Sequence, residues 1–134
     1  MLRIGYLASD YNPMMLMLGE AEDFRALAGV LRHFARTPVD TRLDTLGFCR
    51  PYRTRLTLTA SDGPPGIQPE GLDEFVWRLD PPRAGGFAGQ AENLTGPGVV
   101  AGSEMLECGI GEEIPVKLSR GEYTDDFLSV RPET

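Results

Sequence analysis

Carboxylates are the only chemically capable side chains that this sequence gathers in one region. Glu112, Glu113, Glu122, Asp125 and Asp126 fall within fifteen residues, and Glu104 and Glu107 lie just before them. Such acids have three uses. A calcium loop needs several oxygens at alternating positions, and the adjacent pair Asp125-Asp126 lacks that spacing. Glycosidic hydrolysis needs two carboxyls in an enclosed cleft, one with a raised pKa, and nothing in a chain this short marks such a cleft. Engaging a basic protein surface needs only exposed acids of one sign with apolar anchors among them. Tyr123 and Phe127 stand among the acids as candidate anchors, with packing of the tail onto the core as the alternative role for Phe127. The sequence therefore nominates Glu104, Glu107, Glu112, Glu113, Glu122, Tyr123, Asp125 and Asp126 as partner-binding residues.

Other chemistry finds little material. Histidine is the commonest general base and metal ligand, and the chain has one, His33, beside the apolar stripe of a helical segment. No nucleophile elbow nominates a serine or cysteine to pair with it. Lys117, the only lysine, follows no glycine loop, and Gly109 and Gly111 begin a dinucleotide signature whose third glycine is missing. Cys49 and Cys108 are far apart and read as reduced, largely buried thiols. No catalytic residue, cofactor or metal is expected.

Charge sharpens the partner class. The net charge of −7 is uneven: residues 1–67 hold eight arginines against seven acids, and residues 68–134 hold thirteen acids against five bases. A general basic surface for nucleic acid is disfavoured, and a cationic partner for the C-terminal half is favoured. No apolar run is long enough to span a membrane. The opening residues, interrupted by Asp10, Asn12 and Pro13, match no export signal, so a cytoplasmic location is expected. Arginine in place of lysine suggests a bacterium-like, GC-rich genome.

These residues need a scaffold, and the segment 20–36 organises it. Phe24, Leu27, Ala28, Leu31, Phe34 and Ala35 recur at three- and four-residue steps, which places them on one stripe of a helix. Glu20, Glu22 and Asp23 crowd its first turn, where the helix dipole favours acids, and Thr37-Pro38 stops it. Leu2, Ile4 and Tyr6 alternate as a half-buried strand. Met14 to Leu18 is apolar on both faces, as an interior strand covered on two sides would be. Residues 53–60 and 73–79 alternate, with Trp77 a core anchor; residues 61–71 read as a loop between them. Residues 80–86 end the second of these strands, and a single helical turn is expected near 88–94. Residues 103–110 and 113–118 predict a hairpin joined through Gly109 and Gly111, with Pro115 marking an edge or a bulge, and Tyr123, Phe127 and Leu128 a short closing helix or turn capped near Thr124.

The expected fold is α+β: one domain over residues 1–134, with a mostly antiparallel sheet of five to seven strands and the helix 20–36 on one face. The expected function is a non-enzymatic acidic binding protein, of the inhibitor or immunity type, that neutralises a basic toxin or nuclease. A homo-oligomeric structural or regulatory subunit, using a strand edge or the Met14–Leu18 region, is the second expectation, and a small enzyme the third.

Overall fold

The first strand, β1 (Leu2–Leu7), is two-faced, and its hairpin partner β2 (Met14–Leu18) is apolar on both sides. They pair antiparallel, from Arg3 opposite Leu18 to Leu7 opposite Met14. This pairing turns Leu2, Ile4, Met15 and Met17 to one face and Gly5, Leu16 and Leu18 to the other. Both faces of β2 are consequently buried, as its composition requires. The computed structural model describes residues 1–8, 12–123 and 125–129, with the side chains of 126 and 129 excepted.

Helix α1 (Ala21–Arg36) follows directly. The Asp23 carboxylate accepts from the Glu20 N–H at 2.9 Å and lies 3.2 Å from the terminal amino group, tying the helix start to β1. Phe24, Leu27, Ala28, Leu31 and Phe34 are all buried. At roughly 1.5–3 kcal/mol for each large side chain, that stripe contributes substantially to the core.

The rest of the chain builds two sheets where the sequence suggested one. Strands β3 (Thr41–Arg42), β4 (Cys49–Tyr52), β5 (Arg55–Thr59), β6 (Gly66–Gly71) and β7 (Glu74–Arg78) precede helix α2 (Pro81–Glu92). Strands β8 (Gly102–Leu106) and β9 (Val116–Arg120) and the four-residue α3 (Asp126–Ser129) complete the order. The first sheet runs β4-β1-β2-β9-β8 and the second β3-β5-β7-β6. Parallel pairs β1·β4, β2·β9 and β5·β7 interrupt the antiparallel ones, so the sheets are mixed. The class is α+β, as expected. One hydrophobic cluster runs through α1, α2 and both sheets, with Trp77 inside it and stacked 6.0 Å from Phe87. Among the described residues no helix is long and apolar enough to cross a membrane.

Three local expectations are corrected. Residues 80–86 start a helix: Asp80 caps α2 by accepting from the Arg83 N–H at 2.9 Å, and Pro81 and Pro82 occupy positions whose N–H groups would have no helical partner. The expected loop 61–71 contains β6, where Pro69 is tolerated because β6 is an edge strand. Pro115 marks neither an edge nor a bulge. It lies just before β9, an interior strand between β2 and β8, and its carbonyl accepts from the Met15 N–H at 2.9 Å.

Candidate functional site

The hairpin β8–β9 forms, and its connection, residues 107–115, is held from within. The Glu113 carboxylate accepts from the backbone N–H groups of Cys108 (2.8 and 2.9 Å), Gly109 (2.6 Å) and Ile110 (3.1 Å). Three donors of a tight loop thus share one acceptor, with Gly109 at a φ of 83° to allow the turn. Gly66 of β6 sits against this carboxylate at a φ of 99°, and a Cβ there would collide with it. The Ile67–Ile114 bridge joins the loop's end to the second sheet. Glu113 is therefore a fastener.

Fastening Glu113 leaves Glu107 and Glu112 exposed, with Ile110 38% exposed between them. Beside them Pro13 and Pro115 line a shallow depression. The Cys108 thiol, half-buried beneath the loop, is pushed up to about 11 by burial and by the Glu113 charge. Burial, reinforced by Asp23 and Asp44, pushes Cys49 up to about 12. Both thiols are protonated at neutral pH and are poor nucleophiles.

The remaining nominated residues go elsewhere. Glu104 faces the interior side of β8, where it accepts from the Gln90 side-chain amide at 3.2 Å. Glu122 follows the far end of β9 and accepts from the Ser119 hydroxyl at 3.3 Å. From there the chain returns across the outer face of the first sheet. The Tyr123 hydroxyl accepts from Lys117 at 3.0 Å, and its ring lies 4.9 Å from that ammonium. Asp125 pairs with Arg3 at 2.9 Å and accepts from the Tyr52 hydroxyl at 3.4 Å. Leu128 is buried with Leu16 and Leu18, packed so closely over Gly5 that a Cβ there would lie 2.7 Å from it. Phe127 stays 49% exposed, edge-on to Tyr123 at 4.9 Å. Asp126 belongs to α3, and its side chain lies outside the described residues.

The eight nominated residues thus occupy three places: an exposed loop at one end of β9, the interior side of β8, and a strap beyond the other end of β9. Among the described side chains, Glu107, Glu112 and Glu113 are the nominated acids that line one depression together. His33 is exposed on α1, and among the described residues no cluster of three or more histidine, cysteine or acidic side chains could hold a metal.

One feature escaped the sequence reading. Where β4 turns into β5 and β6 into β7, Asp44, Arg53, Thr54, Arg55, Leu72 and Asp73 surround an open basin of about 630 Å3. Arg53 (φ 50°) and Asp73 (φ 55°) are the two non-glycine residues with positive φ among those described, and both line it. Leu72 at the hairpin tip is 93% exposed. The signal was the run Arg50-Pro51-Tyr52-Arg53-Thr54-Arg55, with three arginines and no acid, but its turn was invisible to strand periodicity. No protein-family model matches the chain, no curated protein matches its sequence, and no solved structure matches its fold.

Proposed function

We propose that this chain is a non-enzymatic, cytoplasmic binding protein of the inhibitor or immunity type, which neutralises a basic protein partner such as a toxin or nuclease. The observation that carries the proposal is the fastened loop. Glu113 spends its charge on three backbone donors, so Glu107, Glu112 and Ile110 are presented with little freedom to lose on binding. Preorganisation of this kind lowers the entropy cost of association, and the two carboxylates steer a cationic surface while Ile110 gives it an apolar contact.

The test uses an oligo-arginine peptide as the probe, followed by surface plasmon resonance on the full chain. Binding weakens as ionic strength rises, because exposed charges are screened. Glu107→Lys with Glu112→Lys weakens it by at least about tenfold, and reversal of Glu122, Asp125 and Asp126 acts mainly on the strap. Unchanged affinity in the loop variant, or a larger loss from the strap reversal in protein that remains folded, removes the loop from this role.

A further inference from the structure

Among the described residues the two sheets end in the edge strands β4, β8, β3 and β6, and all but β8 are closed. In β4 the Phe48 carbonyl accepts from the Leu2 N–H at 2.7 Å, which sets Arg50 and Tyr52 toward β1 and turns the backbone of Cys49 and Pro51 outward. The Cys49 N–H is already given to the Leu46 carbonyl at 2.9 Å, and Pro51 has none to give. β6 turns Ile67 and Pro69 outward. The Ile67 carbonyl accepts from the Ile114 N–H at 2.8 Å, and Pro69 again lacks a donor. β3 is two residues long, and beyond it the Asp44 carboxylate takes the Leu56 N–H at 2.9 Å. Prolines, short strands and covering groups are the usual protection of an edge.

β8 is left open. The Met15 N–H donates to Pro115 and the Gly19 N–H to Ser119, at 2.9 and 3.3 Å, so Val116, Leu118 and Arg120 turn their backbone groups toward β8. Their partners Leu106, Glu104 and Gly102 complete that ladder, and Ser103 and Met105 present their N–H and C=O groups to the open side. The Gln90 side-chain amide reaches the Met105 carbonyl at 2.9 Å, and a carbonyl has a second lone pair. Among the described residues nothing is bonded to the Met105 N–H or to the Ser103 N–H and C=O. Ser103 is exposed, and Met105 is 38% exposed.

The residues of β8 decide what fits there. A second β8 laid antiparallel and centred on Glu104 would set that acid against its own copy, like charge on like. Centred on Ser103, it would call on Ala101, where the chain bends out of the strand. Centred on Met105, it sets Met105 against Met105, Ser103 against Glu107, and Glu104 against Leu106. Exposed thioethers then cover each other, and no acid stands directly opposite an acid. The two Glu104 side chains are diagonal neighbours, and each keeps its bond from Gln90 at 3.2 Å. Lys117, beside Met105 on β9, is one strand further out and donates to Tyr123 at 3.0 Å. Gly86, one turn before Gln90 on the same side of α2, is exposed, and no neighbouring atom would meet a Cβ there. The helix flanking the edge is thus cut back where a second copy approaches.

We infer that the chain forms a homodimer by antiparallel pairing of β8 with β8 about Met105, which continues the first sheet across a two-fold axis. Roughly six main-chain hydrogen bonds join the copies, and the interface is isologous. The inference rests on the backbone of β8 and requires no basic partner.

Sedimentation equilibrium of the full chain reads a concentration-dependent monomer–dimer equilibrium. Ser103→Pro removes an outward N–H while sparing the ladder to β9, and Met105→Lys sets two ammonium groups opposite each other. Each raises the dimer Kd by at least about tenfold, whereas Met105→Leu dimerises like the parent. Circular dichroism and thermal unfolding of the dilute monomers check the fold, and Met105→Lys, at an exposed position, serves where Ser103→Pro disturbs the strand. Oxidation reads the register. Met105→Cys gives a disulfide-linked dimer, because opposed Cα atoms lie about 5.5 Å apart, within disulfide reach; the parent and Ser103→Cys do not. A chain that stays monomeric at every concentration, Met105→Lys that dimerises like the parent, or Ser103→Cys that crosslinks as readily as Met105→Cys each overturns the inference. Oligo-arginine binding by a strictly monomeric chain would sustain the proposed function while removing the dimer.

Discussion

Glu113→Gln is the sharpest probe of how the acidic loop is held. The substitution keeps size and shape and removes the charge. In the parent, one carboxylate oxygen accepts from Cys108, Gly109 and Ile110 at 2.8, 2.6 and 3.1 Å, and the other accepts from Cys108 at 2.9 Å. A glutamine oxygen in the first position keeps three bonds, but as neutral ones about half as strong. Its amide nitrogen in the second position then meets the Cys108 N–H donor to donor. Charge-assisted bonds contribute roughly 1.5–3 kcal/mol each and neutral ones about 1. Three such exchanges would cost about 1.5–6 kcal/mol in a dry interior. The loop is half wet, and water takes up part of the deficit, so a loss of about 1–2 kcal/mol is expected. Most of it should appear as local opening, because residues 109–112 are exposed and little of the core depends on them. Hydrogen exchange at the amides of Cys108, Gly109 and Ile110 then accelerates by about tenfold or more, with a smaller change in global unfolding free energy. Cys108 alkylation accelerates as well, since the charge that helps hold its thiol at about 11 is gone and its cover loosens. Unchanged exchange at all three amides would refute the fastening role, and with it the preorganisation on which the proposed binding surface depends.

Two further outcomes follow from neighbouring geometry. Gly66→Ala combines a backbone at φ 99° with a Cβ driven into the Glu113 side chain. It should cost about 1–3 kcal/mol and be non-additive with Glu113→Gln in a double-mutant cycle, because both act through the same carboxylate; strict additivity would show that the two sites are independent. Asp44 gives a pH dependence. Its side chain is 7% exposed; burial works to raise its pKa, but Arg42 and the Leu56 N–H together outweigh that and hold it below the ordinary value. A folded pKa below the unfolded one of about 3.9 means that the contribution is complete above about pH 4 and disappears as pH falls through the folded value. Urea unfolding should show Asp44→Asn less stable at neutral pH and with a shallower decline below about pH 4; an identical acid limb would reject this account.

How much of this was legible depended on whether the deciding force was local. The α1 stripe was readable because Phe24, Leu27, Ala28, Leu31 and Phe34 carry a helical period that survives any tertiary context. Met14–Leu18 was readable as doubly covered because no one-sided strand would be apolar at every position. α2 was not, because Pro81-Pro82 and three glycines argue against a helix on propensity alone. Its formation is decided by Asp80 as a cap and by burial of Ala84, Phe87, Ala88 and Ala91 against the core. That spacing was present in the sequence, and a search for an alanine-lined stripe would have found it. β6 was hidden for a similar reason: Gly66, Pro69 and Gly71 are turn residues, and only pairing with β7 makes the segment a strand. The acidic cluster was legible as composition but not as place. β9 is five residues long, so it sets the acids before and after it roughly 16 Å apart, and strand alternation turns Glu104 inward.

The fold also changes what the charge asymmetry between the two halves means. Arginines of the first half meet acids of the second: Arg3 with Asp125, and Arg32 of α1 with Glu92 of α2. Within the second half, Asp80 is held by Arg83, and Glu113 by backbone donors. Several members of the acidic excess are therefore already engaged in joining the structure, which limits what total charge can predict about binding. Reversal of Asp125 illustrates the consequence. A lysine there would face Arg3 and unseat the strap that brings Leu128 over Gly5, uncovering Leu16 and Leu18. Lost binding in that variant would report a disturbed sheet face as readily as a lost contact. Glu107 and Glu112 are exposed at a loop fastened by a third residue, so their reversal changes the surface while leaving the fastening intact. The loop pair, and not the longer list of nearby acids, is where a charge-reversal experiment separates recognition from folding.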